Sequence, residues 1–272
     1  MQTMTLNNGV EMPVTGFGTY LTAPRKTQQQ VMAALAAGYR LIDTAQNYGN
    51  EREVGAAIRA SKLPREDVFV TTKTQTSGYR GTLTGIDNSL RVAGLDYYDL
   101  ILIHWPNGDD LATYQALEDA YRAGKVRAIG VSNFNHQQVQ ELIDEGSVVP
   151  AVDQIETHLT WQQQRLHAYL AQRDIRHEAW APLGEGSNEV TANPTLQRIG
   201  RQYGKSAVQV MLRFYVQEHI LAIPKTTSAQ HLTENLAIFD FELTPTDIAA
   251  IRGADRKRSA SKWPSTMSVE EN

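Results

Sequence analysis

The sequence contains no cysteine among its 272 residues. That absence excludes disulfide bonds, thiolate nucleophiles and cysteine-ligated metal sites, and it is typical of a reducing compartment. No apolar run reaches the length of a membrane span, and the first residues, MQTMTLNNGVEMP, lack the apolar core of a signal peptide. A net charge of −4 gives no reason to expect a nucleic-acid partner. We therefore expect a cytoplasmic protein that binds neither membrane nor nucleic acid.

A complete glycine-rich dinucleotide turn is also missing. The stretch Gly16-Phe17-Gly18-Thr19 begins the pattern G-x-G-x-x-G but does not finish it. An open doubly wound sheet that binds a dinucleotide would be expected to carry that turn after its first strand. The sequence instead shows strict alternation of short apolar runs and amphipathic stretches, which favours a closed (β/α)8 TIM barrel. We expect residues 1–272 to form this barrel as a single domain.

Eight apolar runs are predicted to be the barrel strands, because continuous apolar strands are typical of a parallel sheet covered on both faces. They are Val14 to Phe17, Leu41 to Asp43, Val68 to Thr72, Leu100 to His104, Ala128 to Val131, Val152 to Ile155, Ile175 to Ala179 and Ile220 to Ile223. Helical spacing of apolar residues separates them, and the longest helical region, Pro194 to His219, is expected to break near Gly204.

Two further segments are expected outside the barrel wall. Thr5 to Met12 is predicted to be an N-terminal β-hairpin, with Asn8 and Gly9 in a type I′ turn. The polar C-terminal tail, Asp255 to Asn272, is predicted to lie across the mouth of the barrel.

Polar residues stand at the ends of three successive predicted strands. Asp43 ends one apolar run, Lys73 lies at the polar end of the next, 30 residues on, and His104 ends the third, after a further 31 residues. Each spacing is about one β-α unit. A parallel barrel brings such residues to its C-terminal rim, where active sites of this fold are built.

Several motifs in order give the chain a family resemblance. They are GYRLIDTAQNYGNE, TTK, LILIHWP, GKVRAIGVSNF, DQIETH, EAWAPLG and AIPKTTS, within a match from Met12 to Ile251. The chain resembles the aldo-keto reductase superfamily, and within it the short bacterial members similar to 2,5-diketo-D-gluconate reductase. The resemblance implies a (β/α)8 barrel, a nicotinamide cofactor bound without a Rossmann fold, and reversible carbonyl reduction.

Carbonyl reduction assigns a role to each polar residue at the rim. Hydride addition leaves charge on the carbonyl oxygen, so a proton donor must stand beside it, and Tyr48 is the candidate. Lys73 is expected to lower the pKa of the Tyr48 phenol, and Asp43 to hold the Lys73 ammonium in place. His104 is expected to orient the carbonyl. The resemblance gives these four residues the same roles.

The resemblance also implies the contacts of the nicotinamide end of the cofactor. Ser132, Asn133 and Gln154 are expected to bond the carboxamide, Trp180 to stack on the ring, and Leu183 with Gly184 to lie near the pyrophosphate. The chain departs from the family at Glu185, where a small hydroxyl residue is common, and at Asp153, where asparagine is common.

The adenosine end is expected within IPKTTSAQHLTEN. The resemblance implies that the 2′-phosphate meets a cation and three hydroxyl groups, from Lys225, Thr226, Thr227 and Ser228, and that Glu234 and Asn235 take the adenine amine. At His231, family members that prefer NADPH usually carry arginine, which presents a fixed positive charge that a largely neutral imidazole lacks. We expect NADPH as the cofactor, weakly preferred, with NADH also accepted.

Substrate contacts are expected from Tyr20, Asn47, Trp105, Asn107 and Trp263. The loop that follows the fourth strand, Pro106 to Thr113, is short, and an open, tolerant pocket for small carbonyls, dicarbonyls or keto-sugars is expected.

Two other functions fit the same fold. Lys73 could form a Schiff base in a lyase or aldolase, although an ion pair with Asp43 would keep it protonated and unreactive. The barrel could also be a nicotinamide-sensing binding module without turnover. No second ligand stands at metal-binding spacing from His104, so no metal is expected. No coiled-coil pattern suggests an oligomer, and we expect a monomer.

Overall fold

A two-stranded hairpin at the start of the chain lies against the N-terminal ends of the barrel strands. The computed structural model describes residues 1–260, and begins with β1 (Thr3–Thr5) paired antiparallel to β2 (Glu11–Pro13). Asn8 donates to the carbonyl oxygen of Arg127 at 2.8 Å, and Asn7 donates to that of Pro150 at 3.0 Å. These bonds tie the hairpin to the chain at the start of two barrel strands.

The hairpin turn differs from the predicted one. Leu6 N–H donates to the carbonyl oxygen of Val10 at 2.8 Å, so three residues form the loop. Gly9 has a positive φ of +83°, whereas Asn8 does not have a positive φ. The prediction of a type I′ turn is wrong, because a three-residue loop needs only one left-handed residue, which the glycine supplies.

Eight parallel strands form the barrel wall, in chain order around the sheet. They are β3 (Phe17–Gly18), β4 (Leu41–Asp43), β5 (Phe69–Thr74), β6 (Tyr98–Ile103), β7 (Val126–Ser132), β8 (Val152–Glu156), β9 (Arg176–Trp180) and β10 (Leu221–Ala222). The first strand is shorter and later than predicted. A parallel bridge between Thr15 and Ala222 joins the first strand to the last, with Gly16 N–H donating to Ala222 at 2.9 Å. The predicted (β/α)8 barrel is confirmed.

Helices follow the strands and cover the outside of the wall. They are α1 (Pro24–Ala37), α2 (Glu51–Ala60), α3 (Tyr79–Ala93), α4 (Asp110–Arg122), α5 (His136–Glu145), α6 (Gln164–Ala171), α7 (Pro194–Tyr203), α8 (Ala207–Gln217), α9 (Ala229–Leu236) and α10 (Pro245–Arg252). The predicted helix break is confirmed at Gly204, which ends α7 with a φ of +64°. The loop after the fourth strand is shorter than predicted, since α4 begins at Asp110. No helix within residues 1–260 is long and apolar enough to cross a membrane.

Side-chain alternation along the strands decides what faces the barrel interior. Ile42 and Ile101 pack against the helices, so Leu41 and Leu100 point inward. Every second residue along a strand therefore faces the barrel interior. Asp43 on β4 and His104 just beyond β6 occupy such positions nearer the C-terminal end. The inward-facing polar and aromatic residues on the other strands are Lys73, Gln154, Glu178 and Trp180. Apolar side chains thus fill the lower barrel, and polar ones line its upper end.

Asp153 lies on the opposite face of β8 from Gln154, and is fully buried. Neither carboxyl oxygen makes a hydrogen bond of good geometry with a described residue. Burial raises the pKa of Asp153 well above its usual range, and the nearby Phe134 backbone N–H opposes this only in part. Between the unfolded and the folded pKa of Asp153, the folded protein therefore holds a proton that the unfolded protein has released.

Replacing Asp153 with asparagine is expected to make the free energy of unfolding less dependent on pH, because the wild type loses stability as the pH rises. A raised folded-state pKa gives stability that is complete below the unfolded pKa of about 3.9 and falls by about 1.4 kcal/mol per pH unit above it, until the folded pKa is reached. Urea unfolding at pH 5, 6 and 7 should give a free energy of unfolding that falls more steeply with rising pH in the wild type than in D153N. The exposed Asp96→Asn serves as control and should keep the wild-type slope.

Candidate active site

A cavity of about 570 Å³ opens at the C-terminal end of the barrel. Its lining includes most of the residues predicted for the site: Tyr20, Asp43, Asn47, Tyr48, His104, Trp105, Ser132, Asn133, Gln154, Trp180, Leu183, Lys225, Thr226 and Thr227. This volume lies in the usual range for a small-molecule or cofactor site. Residues from most of the barrel strands and their following loops therefore converge on one space.

A buried ion pair, of which Asp43 lines the cavity, lies at the base of the site. Lys73 Nζ lies 2.6 Å from Asp43 Oδ1, and both side chains are almost completely buried. The same Nζ donates to the carbonyl oxygen of Thr44 at 3.1 Å and to the Tyr48 hydroxyl at 3.4 Å. Three acceptors thus use the three N–H bonds of the ammonium. Burial alone lowers the pKa of Lys73, but the charge of Asp43 and the phenol of Tyr48 reverse this, and the net pKa is raised.

Tyr48 ends a short 3-10 helix, Gln46–Tyr48, that follows β4. Its side chain is partly exposed, but its hydroxyl lies beside the buried Lys73. Burial raises the pKa of Tyr48 to about 12, against the lowering effect of Lys73. Lys73 lowers the pKa of the phenol as predicted, but the larger effect is the removal of the phenol from water, which the sequence did not reveal. A phenol that stays protonated at neutral pH suits a proton donor.

His104 lies just beyond β6 and faces Tyr48, with the two rings 5.7 Å apart. Burial, and then the charge of Lys73, lower the pKa of His104 to about 3. The imidazole is therefore neutral at physiological pH. A neutral ring can donate one hydrogen bond to a carbonyl oxygen that lies between it and the Tyr48 hydroxyl.

A connected set of polar groups forms one wall of the cavity, which we call the amide shelf: Ser132, Asn133, Gln154 and Trp180. Trp180 Nε1 donates to Asn133 Oδ1 at 2.8 Å, and Asn133 Nδ2 donates to Ser132 Oγ at 3.0 Å. Ser132 Oγ in turn donates to the backbone oxygen of Gln154 at 2.7 Å. These bonds fix the indole plane and leave an apolar face next to amide and hydroxyl groups.

Only part of the predicted adenosine segment faces the cavity. Lys225, Thr226 and Thr227 line it. Ser228 instead caps α9, accepting from the His231 backbone N–H at 3.3 Å. The exposed His231 side chain is in the first turn of α9, and Glu234 lies one turn further along the helix.

The last residue of that segment points inward. Asn235 is 3% exposed and its side chain is hydrogen-bonded to the buried Tyr39. The structure therefore brings Lys225 and its two threonine neighbours into the cavity, and places Asn235 in the core.

Among the predicted substrate contacts, Tyr20 packs beside Tyr48, with the two ring centres 5.0 Å apart and the rings tilted relative to each other. Asn47 and Trp105 line the cavity. Asn107 does not. Its backbone N–H donates to Asp110 and its side-chain oxygen accepts from Asp109 N–H, which shapes the start of α4. Trp263 lies outside the described residues.

The described part of the C-terminal tail reaches the C-terminal end of β8. Ser259 Oγ donates to Glu156 Oε2 at 2.6 Å, and Ala260 N–H donates to Glu156 Oε1 at 2.7 Å. Glu156 is the last residue of β8 and pairs with Trp180 on β9. The chain up to residue 260 therefore reaches the strand next to Trp180, and the rest of the predicted tail, residues 261–272, lies outside the described residues.

Sequence reasoning missed several residues of the site. Leu21, Ala181 and Pro182 add apolar lining, and Glu178 lies beneath the amide shelf. A signal for Glu178 was present, because it is a carboxyl residue inside a predicted barrel strand, two positions before Trp180. Within residues 1–260 no group of three or more histidine or acidic residues is arranged to hold a metal ion.

Comparisons with known proteins agree with this geometry. Residues 15–256 match the family model described as the Aldo/keto reductase family. The chain is 42% identical to an aldo-keto reductase of Mycolicibacterium smegmatis, over 97% of both chains. It is 39% identical to the glyoxal reductase of Bacillus subtilis, also over 97% of both. A crystal structure of a Bombyx mori aldo-keto reductase in complex with NADP is 33% identical and superposes with a TM-score of 0.90, over 96% of this chain and 95% of that one.

Proposed function

Because the chain belongs to the aldo/keto reductase family, we propose that its cavity binds NADPH and reduces small aldehydes, ketones and dicarbonyls to alcohols. The observation that carries this proposal is the contact of Lys73 with both Asp43 and Tyr48 at the base of a cavity that also holds His104. The similarity to a glyoxal reductase supports small dicarbonyls as substrates. The cytoplasmic location and monomeric state expected from the sequence stay predictions.

The residues present fit a nicotinamide cofactor. The amide shelf offers a flat indole face beside polar groups of the kind that bond a carboxamide. Lys225 supplies a cation to the cavity lining, next in sequence to the hydroxyl residues Thr226 and Thr227. When bound, the reduced nicotinamide supplies the hydride.

Residues of the chain donate the proton and orient the substrate carbonyl. Tyr48 donates its hydroxyl proton to the carbonyl oxygen as negative charge develops there. Lys73 stabilises the phenolate that remains, and Asp43 holds the ammonium at 2.6 Å. The neutral His104 ring donates a hydrogen bond that orients the carbonyl oxygen toward Tyr48.

Two findings disfavour the Schiff-base alternative. The pKa of Lys73 is raised, and its ammonium is occupied by Asp43, Thr44 and Tyr48. A nucleophilic lysine must lose its proton. Borohydride treatment with a dicarbonyl substrate should therefore leave no adduct on Lys73.

Intrinsic tryptophan fluorescence tests the cofactor site. NADPH and NADH should each quench wild-type fluorescence in a saturable manner, because the nicotinamide stacks on Trp180. Trp180→Phe should lose most of that response while remaining folded. Absence of saturable quenching by either cofactor in the wild type would contradict the proposed function.

Replacing His231 with arginine is expected to tighten NADPH binding about tenfold and to leave NADH binding nearly unchanged. A guanidinium can form charge-assisted hydrogen bonds with the 2′-phosphate, which only NADPH carries, and such bonds contribute about 1.5–3 kcal/mol. Fluorescence titration gives both dissociation constants. Gln172→Arg is the matched control, since it adds the same charge at an exposed position, the C-terminal end of α6. It should change the affinity for neither cofactor. Equal tightening of both cofactors by H231R would refute the phosphate contact.

A further inference from the structure

Glu178 is a buried carboxyl group that the proposed proton transfer does not use. It lies in the middle of β9, two residues before Trp180, and is fully buried. Its β8 neighbour in the sheet register is Gln154. Because side chains alternate along a strand, Glu178 points into the barrel interior, directly below the amide shelf.

Gln154 connects this carboxyl group to the catalytic ion pair. Its Nε2 atom donates to Asp43 Oδ2 at 3.0 Å and to Glu178 Oε2 at 2.8 Å. A side-chain amide has only two N–H bonds, so these acceptors use both of them. The Asp43 carboxylate, paired with Lys73, offers only acceptor atoms, which requires the nitrogen rather than the oxygen of the amide to face it.

The side-chain oxygen of Gln154, Oε1, has no hydrogen-bond donor among the described residues, although the side chain lines the cavity. An amide that gives both of its hydrogens to the barrel interior presents an acceptor on its other side. A nicotinamide carboxamide resting on the amide shelf has an NH2 group that can donate to such an acceptor.

We propose that Glu178 is a positioning residue for the cofactor: together with Asp43 it holds the Gln154 amide so that its carbonyl oxygen accepts from the carboxamide NH2 of nicotinamide. This inference rests on the proposed function, since it requires nicotinamide to bind against Gln154. Glu178 touches neither cofactor nor substrate, and acts through Gln154.

The charge state of Glu178 fits this role. Burial, and then the charge of Asp43, raise its pKa to about 8, against smaller opposing effects of Gln154 and Lys73. Asp43 and Lys73 are the charged groups that face it. At pH 7 the carboxyl group is therefore mostly neutral and accepts through one oxygen, as the side-chain amide of glutamine can do.

Titration with two oxidised cofactors tests the proposal. NADP+ carries the carboxamide NH2, whereas its 3-acetylpyridine analogue carries a methyl group in its place. Wild-type protein at pH 7 should bind NADP+ about tenfold more tightly than the analogue, measured by tryptophan quenching, because the analogue leaves the Gln154 oxygen without a donor. Glu178→Met and Glu178→Val should reduce this ratio to about threefold or less, because the freed amide can rotate. Glu178→Gln should keep the wild-type ratio.

Glu51→Met provides the matched control. Glu51 is also a buried carboxyl residue and accepts from Thr72, Ser89 and Tyr98, but it does not line the cavity. Its replacement should lower the melting temperature without changing the ratio, which separates loss of a buried carboxyl from loss of cofactor orientation.

The outcomes distinguish the inference from the function on which it rests. A wild-type protein that binds neither cofactor would overturn both. A wild-type protein that prefers NADP+, with the same ratio in a folded E178M or E178V, would overturn the role of Glu178 alone. If E178Q folds and both apolar variants do not, Glu178 is required for the barrel rather than for orientation, and the inference is also overturned.

Discussion

Replacing Tyr48 with phenylalanine is expected to lower kcat for carbonyl reduction by about a thousandfold while leaving NADPH affinity within about twofold. The change removes one hydroxyl group, which lies 3.4 Å from Lys73 Nζ and is the proton donor in the proposed reaction. General acid catalysis contributes about a hundredfold to ten-thousandfold in rate. Steady-state kinetics with a small dicarbonyl and fluorescence titration with NADPH measure the two effects separately.

Tyr20→Phe is the matched control for this experiment. Tyr20 lines the same cavity, and its ring lies 5.0 Å from that of Tyr48, but it is 41% exposed, and the hydrogen bonds of Lys73 go to Asp43, Thr44 and Tyr48 instead. The control should retain kcat within severalfold. Nearly wild-type turnover in Y48F would contradict the assignment of Tyr48 as proton donor and would favour proton donation by another group.

Replacing Lys73 with methionine is expected to abolish activity and to lower the free energy of unfolding by about 3–5 kcal/mol. The substitution leaves Asp43 as a buried charge without a partner, and breaking a buried ion pair in this way is strongly destabilising. The phenolate of Tyr48 also loses its stabilising cation. Urea unfolding and steady-state turnover measure the two losses.

The double variant D43N/K73M separates stability from catalysis. With both charges removed, most of the lost stability should return, whereas activity should stay absent. Lys125→Met is the surface control. Its ion pair with Asp87 is exposed, and such pairs contribute only about 0–1 kcal/mol. A K73M variant as stable as the wild type would contradict the geometry of the buried pair.

The strands that carry the site could be predicted because they are short, apolar and regularly spaced. Asp43 and Lys73 stand within β4 and β5, and His104 directly follows β6, so their approach to one another follows from parallel strand order. Where pairing is brief, the sequence was less informative. The first barrel strand contains only Phe17 and Gly18, and its closure depends on an isolated bridge at Thr15.

Effects that depend on burial could not be predicted from sequence spacing. Lys73 does lower the pKa of Tyr48, but the larger effect of burial becomes visible only in the folded cavity. Asn107 and Asn235 have polar side chains suited to ligands, yet local bonds near α4 and the buried Tyr39 hold them elsewhere. Glu178 requires the register of β8 and β9 to show that it meets Gln154.

The most direct test of the account uses NADPH in which deuterium replaces both hydrogens on the hydride-donating carbon. Its transfer to a small dialdehyde is followed by mass spectrometry of the alcohol. Direct reduction in the cavity predicts one deuterium at the carbinol carbon, formed by the wild type and about a thousandfold more slowly by Y48F. Alcohol without the label, or no alcohol together with a borohydride-trapped adduct on Lys73, would contradict it.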